Sequence, residues 1–388
     1  MRTRLLEGAL IAALLVFAAN PVWAVTDRQV QEAVADEVDE VLSDNGTGGA
    51  AVAIRIDGRT LFYNFGTADS SGKPITSDSL FNLASLGKTF DATLLSMMVS
   101  AGELSLDDPV ANYVTELQKG GEIKKVTLGQ LVSYTSGLSL PQDHPPWPKA
   151  NYTLPAFLNY LTKWKVKKDE EPGKFTYSHA AYMLLHVALE RRFNTPYATL
   201  LEERLLRPLG LASTILPLHR NQVAQLPAPL MARAVQNYDD LNKPVGKKGN
   251  VQGFYHWPGT GQMFSSARDM ATFLAAQLGE ISEPAGLREA VALAHRPLAD
   301  NPPHFKQAQA WEVRQSAVTM VDKNGALNNT SSYIGVIPEK RLGMVLLTNR
   351  GEQYAAKVGR RTLLRLALPE NVAMQELKAL DDADEKDE

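Results

Sequence analysis

The chain contains no cysteine. That absence removes thiol nucleophiles, disulfides, iron–sulfur clusters and cysteine-ligated zinc in one step. Positive charge is not in excess either. The 40 Lys and Arg residues stand against 43 Asp and Glu, a net charge of −3. A nucleic-acid binder carries a basic footprint, so the balance argues against one. No apolar run reaches the ~20 residues needed to span a bilayer. There is no internal repeat and no low-complexity stretch. What is present is 388 residues with 44% hydrophobic and 21% charged side chains. This is ordinary globular composition, with length for a sizeable core and for two or three structural units.

The ends are distinctive. Arg2 and Arg4 precede a twelve-residue apolar run, Gly8 to Ala19, and Val22-Trp23-Ala24 fits a small-residue cleavage site. This pattern predicts a secretory signal over residues 1–24, a mature chain from Val25 and a periplasmic location, with no stable membrane span. Glu7 is an unusual charge before the run, and an uncleaved anchor is the alternative. Asp381 to Glu388 holds six acids and one lysine, which predicts a solvated, disordered tail.

Val30, Val34 and Val38 recur at helical spacing behind a Thr26/Asp27 cap, so a first amphipathic helix is expected. Ala50–Ile56 and Arg59–Phe65 flank Asp57-Gly58, a hairpin signal because both turn positions need positive φ. Ser85 to Ser100 reads as a helix closed by Gly102. Between residues 105 and 300, helical patches alternate with proline-rich connections such as Pro141–Pro148 and Pro217–Pro229. Strand signals return at Trp311–Lys323, Ser332–Ile337 and Met344–Thr348, before a last helix Glu352–Leu366. Strands at both ends with helices between imply a mixed α/β fold. We expect an antiparallel sheet flanked by helices, with a mainly helical domain inserted. The division is 25–80 with 305–380 for the sheet and 81–304 for the helical domain, with site elements at their interface.

Ser85-Leu86-Gly87-Lys88 is an S-x-x-K motif at the start of a predicted helix. Residues three apart share a helix face, so the Lys88 ammonium can reach the Ser85 hydroxyl. Free N–H groups and the positive field of a helix start suit a developing oxyanion. Serine is a weak nucleophile until a neighbouring base takes its proton. The bland alternative is an N-cap serine with a solvated lysine. Ser70-Ser71-Gly72-Lys73 has the same spacing but sits in a turn before Pro74, with no helix after it.

The surroundings of Ser85 carry a family resemblance. Leu80-Phe81-Asn82-Leu83-Ala84-Ser85-Leu86-Gly87-Lys88-Thr89-Phe90 and Gly102-Glu103-Leu104-Ser105-Leu106-Asp107-Asp108-Pro109-Val110 resemble the class C serine β-lactamases. The wider group includes β-lactamase-like penicillin-binding proteins, esterases, D-aminopeptidases and DD-carboxypeptidases. The likeness continues at Thr127–Leu131, Thr135–Leu138, Ser265–Ala271 and Tyr333–Lys340, so it spans nearly all of the mature chain. It implies a β-lactamase/transpeptidase-like fold.

The resemblance also assigns residues. Pro172-Gly173-Lys174-Phe175-Thr176 leads into Tyr177-Ser178-His179, where the family has Tyr-x-Asn. Tyr177 is implied as the proton shuttle between Ser85 and the leaving nitrogen; a buried structural tyrosine is the alternative. A phenol with a pKa of about 10 needs nearby cations to act so. His179 stands where the family's Asn orients the lysine and contacts substrate. It reads as a polar replacement, or as a metal ligand, so zinc is the cofactor alternative to none. Its neighbour His186 is two helical turns on, about 10 Å away, and does not suit a shared metal. His144 and His256 lie in loops. Lys323-Asn324-Gly325 fills the family's Lys-Thr-Gly place, unlike Lys119-Gly120-Gly121, Lys247-Lys248-Gly249 and Lys357-Val358-Gly359. Lys323 is implied to attract a substrate carboxylate, Gly325 to let substrate near the strand edge, and Ala326 to supply the second oxyanion N–H. Asn324 replaces Thr, and Leu327-Asn328-Asn329-Thr330 departs from the family's glycine-containing run. Gln142 lies near the place of a glutamine that binds substrate amides, or is a plain loop residue.

The leading expectation is a monomeric periplasmic serine hydrolase that opens β-lactams through a Ser85 acyl-enzyme, leaning toward carbapenems. The alternatives are an esterase or D-amino-acid peptidase acting on peptidoglycan-like substrates, an inactive peptidoglycan-binding protein, and a metal-dependent variant using His179.

Overall fold

The computed structural model describes residues 25–39, 42, 47–138, 153–167, 171–219, 222–223, 226–249, 262–301, 305–327, 329–351 and 354–384. Residues 1–24, where a secretory signal is expected, the Pro141–Pro148 connection with Gln142 and His144, and His256 lie outside them.

Helix α1 (Asp27–Val38) leads into a hairpin of β1 (Gly49–Ile56) and β2 (Arg59–Gly66). Strand β3 (Leu80–Asn82) precedes α2 (Lys88–Ser100). The helical region holds α3 (Leu128–Val132), α4 (Leu154–Lys163), α5 (His179–Phe193) and α6 (Tyr197–Leu201). A small ribbon of β4 (Leu218–His219) and β5 (Gln222–Val223), helix α7 (Ala228–Met231) and a second ribbon of β6 (Asn237–Tyr238) and β7 (Pro244–Val245) follow. Then come β8 (Phe264–Ser266), α8 (Ala267–Gln277) and α9 (Leu287–His295). Six strands close the sheet: β9 (Ala299–Asn301), β10 (Phe305–Gln307), β11 (Glu312–Gln315), β12 (Thr319–Leu327), β13 (Thr330–Ile337) and β14 (Leu342–Thr348). Helices α10 (Tyr354–Ala367) and α11 (Glu370–Asp384) complete the described chain.

The eight-stranded sheet runs β2-β1-β14-β13-β12-β11-β10-β9, every pair antiparallel. β1 lies against β14, with Ala50 opposite Thr348, so the two ends of the chain meet in one sheet as expected. The Asp57-Gly58 turn has φ of 47° and 77°, the positive values its residue types favour. Side chains alternate between the faces. Val52, Ile54, Tyr333, Met344 and Leu346 point to one side, onto Val30, Val34 and Val38 of α1 and Val358 and Leu363 of α10. Ala51, Ala53, Ile334, Val345 and Leu347 point to the other, onto Met270 and Leu274 of α8 and the helical region. Each large apolar side chain buried this way is worth roughly 1.5–3 kcal/mol. Thr26 caps α1 reciprocally with Gln29, at 3.3 Å to the Gln29 N–H and 2.9 Å back from its own N–H.

Three boundaries differ from the sequence expectation. Trp311–Lys323 is two strands, because the polar and small Gln315-Ser316-Ala317 break the run and the chain reverses before Thr319. The sheet begins at Ala299 rather than 305, through the short edge strands β9 and β10. The terminal helix α11 continues to Asp384, so the first half of the acidic block is helical rather than a disordered tail. Ala373, Val372, Leu377 and Leu380 pack that helix onto the sheet's outer core. No helix among the described residues is long and apolar enough to cross a membrane.

Candidate active site

Ser85 sits on a single 3-10 turn, Ala84–Gly87, that runs directly into α2. The turn is held from three sides. The Asn82 carboxamide oxygen accepts from the Ala84 N–H at 2.8 Å. Leu83 N–H donates to the Met263 carbonyl at 2.8 Å. The Ser332 hydroxyl of β13 donates to the Leu83 carbonyl at 2.6 Å. These bonds over-determine the turn, and Ala84 accordingly holds φ of 49°. A non-glycine residue there stores about 1–3 kcal/mol of strain, a pattern typical of functional turns.

Strand β12 runs against this turn. β11 pairs with β12 only as far as Asp322, while β13 accompanies it to Leu327. Residues Lys323–Leu327 therefore have no β11 partner, and the Ser85 turn packs there. Gly325 shows how close the packing is. A Cβ at Gly325 would lie 2.6 Å from the Leu83 carbonyl and 2.7 Å from the Leu86 N–H. The missing side chain of Gly325 thus admits the turn that carries Ser85. Ala326, next along the strand, is exposed, and Asn324 is half-buried.

Ser85 Oγ lies 3.3 Å from Lys88 Nζ and 2.6 Å from the Tyr177 hydroxyl. Lys88 is almost fully buried, at 1% exposure. Tyr177 arrives from a different part of the chain, in the extended segment before α5. Gly173 N–H and Thr176 N–H bond the Thr135 and Tyr134 carbonyls at 2.8 and 2.7 Å, which pins that segment. Ser178 caps α5. The Tyr177 ring stacks on Tyr134 with centroids 4.7 Å apart. Lys88 and Lys323 lie 5.5 and 5.7 Å from the Tyr177 ring centre. Desolvation of the phenol end favours its neutral form, but the positive charges of Lys88 and Lys323 outweigh it and lower the Tyr177 pKa below its ordinary value.

Lys323 is buried on β12 and donates to Asn324 Oδ1 at 3.3 Å. Behind it Glu312 lies 3.8 Å away and also meets Arg360 Nη2 at 3.2 Å. Asp322, fully buried, pairs with Arg360 Nε at 2.6 Å. Burial pushes the Asp322 pKa up, yet Arg360 and Arg314 prevail and hold it below the carboxylate range. These charges tie β11, β12 and α10 together beneath the lysine.

His179 sits at the first position of α5, edge-on to the Tyr177 ring at 5.3 Å. Burial, then Lys88 and Lys323, push its pKa well below the ordinary value, so the imidazole is neutral. His186 faces the opposite way, toward Asp91. Among the described residues no three His, Asp or Glu side chains are placed to hold a metal ion. The other motif copies are elsewhere: Lys73 donates to the Ala232 carbonyl, and Lys357 is on α10.

Thus Ser85, Lys88, Tyr177, His179 and Lys323 converge with Asn324, Gly325 and Ala326 beside them, whereas Gln142 lies outside the described residues. Sequence reading missed Tyr134, the platform under Tyr177, and the Asp322–Arg360 support. It also missed Asp91, a lone carboxylate among apolar neighbours three residues after Lys88, which was the available signal.

The chain matches the Beta-lactamase family model over residues 27–368. It is 26% identical over 383 residues to a β-lactamase of Providencia stuartii, covering 89% of this chain and 92% of that protein. Against a β-lactamase of Yersinia enterocolitica the identity is 27% over 371 residues, 86% and 90% of the two chains. The class C β-lactamase structure from Rhodobacter sphaeroides aligns with a TM-score of 0.72 at 25% identity, over 87% of this chain and 98% of that one. A D-alanine carboxypeptidase structure from Burkholderia cenocepacia aligns at 0.74 and 25%, over 88% and 99%. The family model and the shared fold together place the chain in the β-lactamase family, as an enzyme of serine-hydrolase type.

Proposed function

We propose that this chain is a periplasmic, monomeric, cofactor-free hydrolase that opens β-lactam antibiotics through acylation of Ser85. The observation that carries this reading is the meeting of Tyr177 and Lys88 on Ser85 Oγ, at 2.6 and 3.3 Å. Lys323 draws the substrate carboxylate to the open edge of β12. With the phenol ionised, the 2.6 Å contact runs from serine to tyrosine, and the Ser85 proton moves to Tyr177 as Oγ attacks the lactam carbonyl carbon. The tetrahedral oxyanion takes hydrogen bonds from the backbone N–H groups of Ser85 and Ala326. The carbon–nitrogen bond then breaks, and the nitrogen receives the proton from Tyr177. Water next attacks the ester carbonyl, yields its proton to Tyr177, and that proton returns to Ser85 Oγ. Lys88 and Lys323 keep the phenolate accessible throughout.

His179 and Asn324 stand where the family has Asn and Thr, so contacts to an amide-bearing side chain and to the carboxylate change. A carbapenem, whose side chain lacks that amide, loses less by the change. The test is turnover of imipenem and of a chromogenic cephalosporin, with intact-mass detection of the adduct. Adduct and turnover that vanish in Ser85→Ala support the reading; full activity in that variant sinks it.

The same altered positions, and likeness to a structure titled as a D-alanine carboxypeptidase, favour a second reading. There Ser85 attacks a D-alanyl peptide amide or an ester. Release of D-alanine from a peptide, with only slow release of bound penicillin, would select it.

A further inference from the structure

Behind Ser85 lies a buried acid–base cluster that the proposed reaction does not consume. Asp91 is three residues after Lys88 on α2, on the same helix face, and is 3% exposed. The Tyr197 hydroxyl of α6 donates to Asp91 Oδ1. His186 of α5 places Nε2 3.1 Å from that same oxygen, an ion-pair distance. The His186 ring stacks on Tyr197, with centroids 3.5 Å apart and planes 19° from parallel. His186 is 2% exposed, and among the described residues neither ring nitrogen makes a well-aligned hydrogen bond. Lys88, Asp91 and His186 line one cavity of about 10 Å³, together with Gly87, Gln262 and Met263. The carboxylate stands on a helix whose Phe90, Leu94, Leu95 and Met98 are all buried. Burying a carboxylate is costly, and packing alone gives no reason for it here.

We propose that Asp91 and His186 form a positioning pair that sets how much of the Lys88 charge reaches Tyr177, and with it the pH range in which Ser85 is acylated. With a neutral His186 the pair places one negative charge in the cavity that Lys88 also lines, and with a protonated His186 it places none. The other titratable groups facing this space leave the pair in control. Tyr134, Tyr182 and Tyr197 are kept neutral by burial. Tyr177, His179 and Lys323 face Lys88 from the substrate side. Removing the Asp91 charge leaves the Lys88 cation less offset, so Tyr177 gives up its proton more readily.

The inference rests on Ser85 being the acylated residue, and the experiment separates the two claims. The acylation rate of the mature protein by a chromogenic cephalosporin is followed from pH 4.5 to 9, for wild type, Asp91→Asn and His186→Gln, with a thermal melt of each. The acidic limb should move to lower pH in Asp91→Asn, by about 1 unit for each roughly 1.4 kcal/mol of lost charge interaction. In His186→Gln, whose pair stays negative at low pH, it should move the other way. Unmoved limbs, or two limbs displaced in the same direction as general loosening would give, overturn the inference while leaving Ser85 acylation standing. If Asp91→Asn does not fold, the His186→Gln limb decides alone. A wild-type protein that forms no Ser85 adduct overturns the underlying reading, and the inference with it.

Discussion

The Tyr177 hydroxyl lies 2.6 Å from Ser85 Oγ, although 92 residues separate them in the chain. The phenol is also flanked by two lysines, at 5.5 and 5.7 Å from its ring, and its pKa is lowered by them. Tyr177→Phe keeps the ring on Tyr134 and removes only the proton carrier. Its kcat/KM on a chromogenic cephalosporin should fall roughly 10²–10⁴-fold, the usual share of a positioned acid–base group, with little change in Tm. Unchanged kcat/KM would take Tyr177 out of the mechanism.

The close packing at Gly325 predicts a defect in the position of Ser85. An added methyl group would sit 2.6 Å from the Leu83 carbonyl and 2.7 Å from the Leu86 N–H, both backbone atoms that cannot swing aside. Gly325→Ala should cost about 1–3 kcal/mol of stability and shift the Ser85 turn. Adduct formation should slow more than tenfold where the variant is still folded, an estimate of order 10²-fold for a displacement of about 1 Å. Intact-mass time courses alongside a melt measure both.

The Asp322–Arg360 pair supports Lys323 from below, at 2.6 Å, with Asp322 fully buried and Arg360 nearly so. Arg360→Met leaves the buried Asp322 with only the more distant Arg314, at 3.5 Å, and should destabilise the protein by roughly 3 kcal/mol. The double variant Asp322→Leu with Arg360→Met should recover much of that loss. Urea denaturation of the two variants tests this, and equal losses in both would contradict it.

Stability should fall as pH drops below neutrality. Burial lowers the His295 pKa from 6.5 to about 4, so the folded state keeps the ring neutral where the unfolded chain protonates it. The unfolded state then binds more protons between those values, and stability declines as pH falls through that window. His295 is only partly shielded, which discounts the effect to about 1–2 kcal/mol. Melts at pH 7 and pH 4.5 should show a larger drop for wild type than for His295→Asn. Equal drops would remove His295 from the account.

His179→Asn installs, at the start of α5, the residue type that the family resemblance implies there. Turnover of cephalosporins with an amide side chain should rise several-fold relative to imipenem, a gain of about 1 kcal/mol from one hydrogen bond. A ratio of the two kcat/KM values that does not move would show that His179 leaves the substrate profile untouched.

Much of this architecture is legible in the residues. The apolar runs Ala50–Ile56 and Met344–Thr348, the Asp57-Gly58 turn and the spacing of Val30, Val34 and Val38 depend only on local geometry, which residue type, spacing and backbone preference report directly. Ser85 and Lys88 are three residues apart, so their meeting needs nothing beyond a turn leading into a helix. The break in Trp311–Lys323 and the helical start of the acidic block were missed for a related reason. A hairpin reversal among small polar residues leaves little periodic trace, and α11 is helical through its contacts with the outer core.

Long-range placement is another matter. The proximity of Tyr177 to Ser85, the choice of Lys323 over three similar Lys-x-Gly copies, and the burial of Asp91 beside His186 all join segments distant in the chain. Their pKa shifts come from desolvation and from charges brought near by packing, and neither exists in an extended chain. Residue types and spacings therefore specify the elements and nominate the chemistry. Which nominated groups share one small volume, and in which protonation states, is decided by the sheet and helices that exclude water from around them.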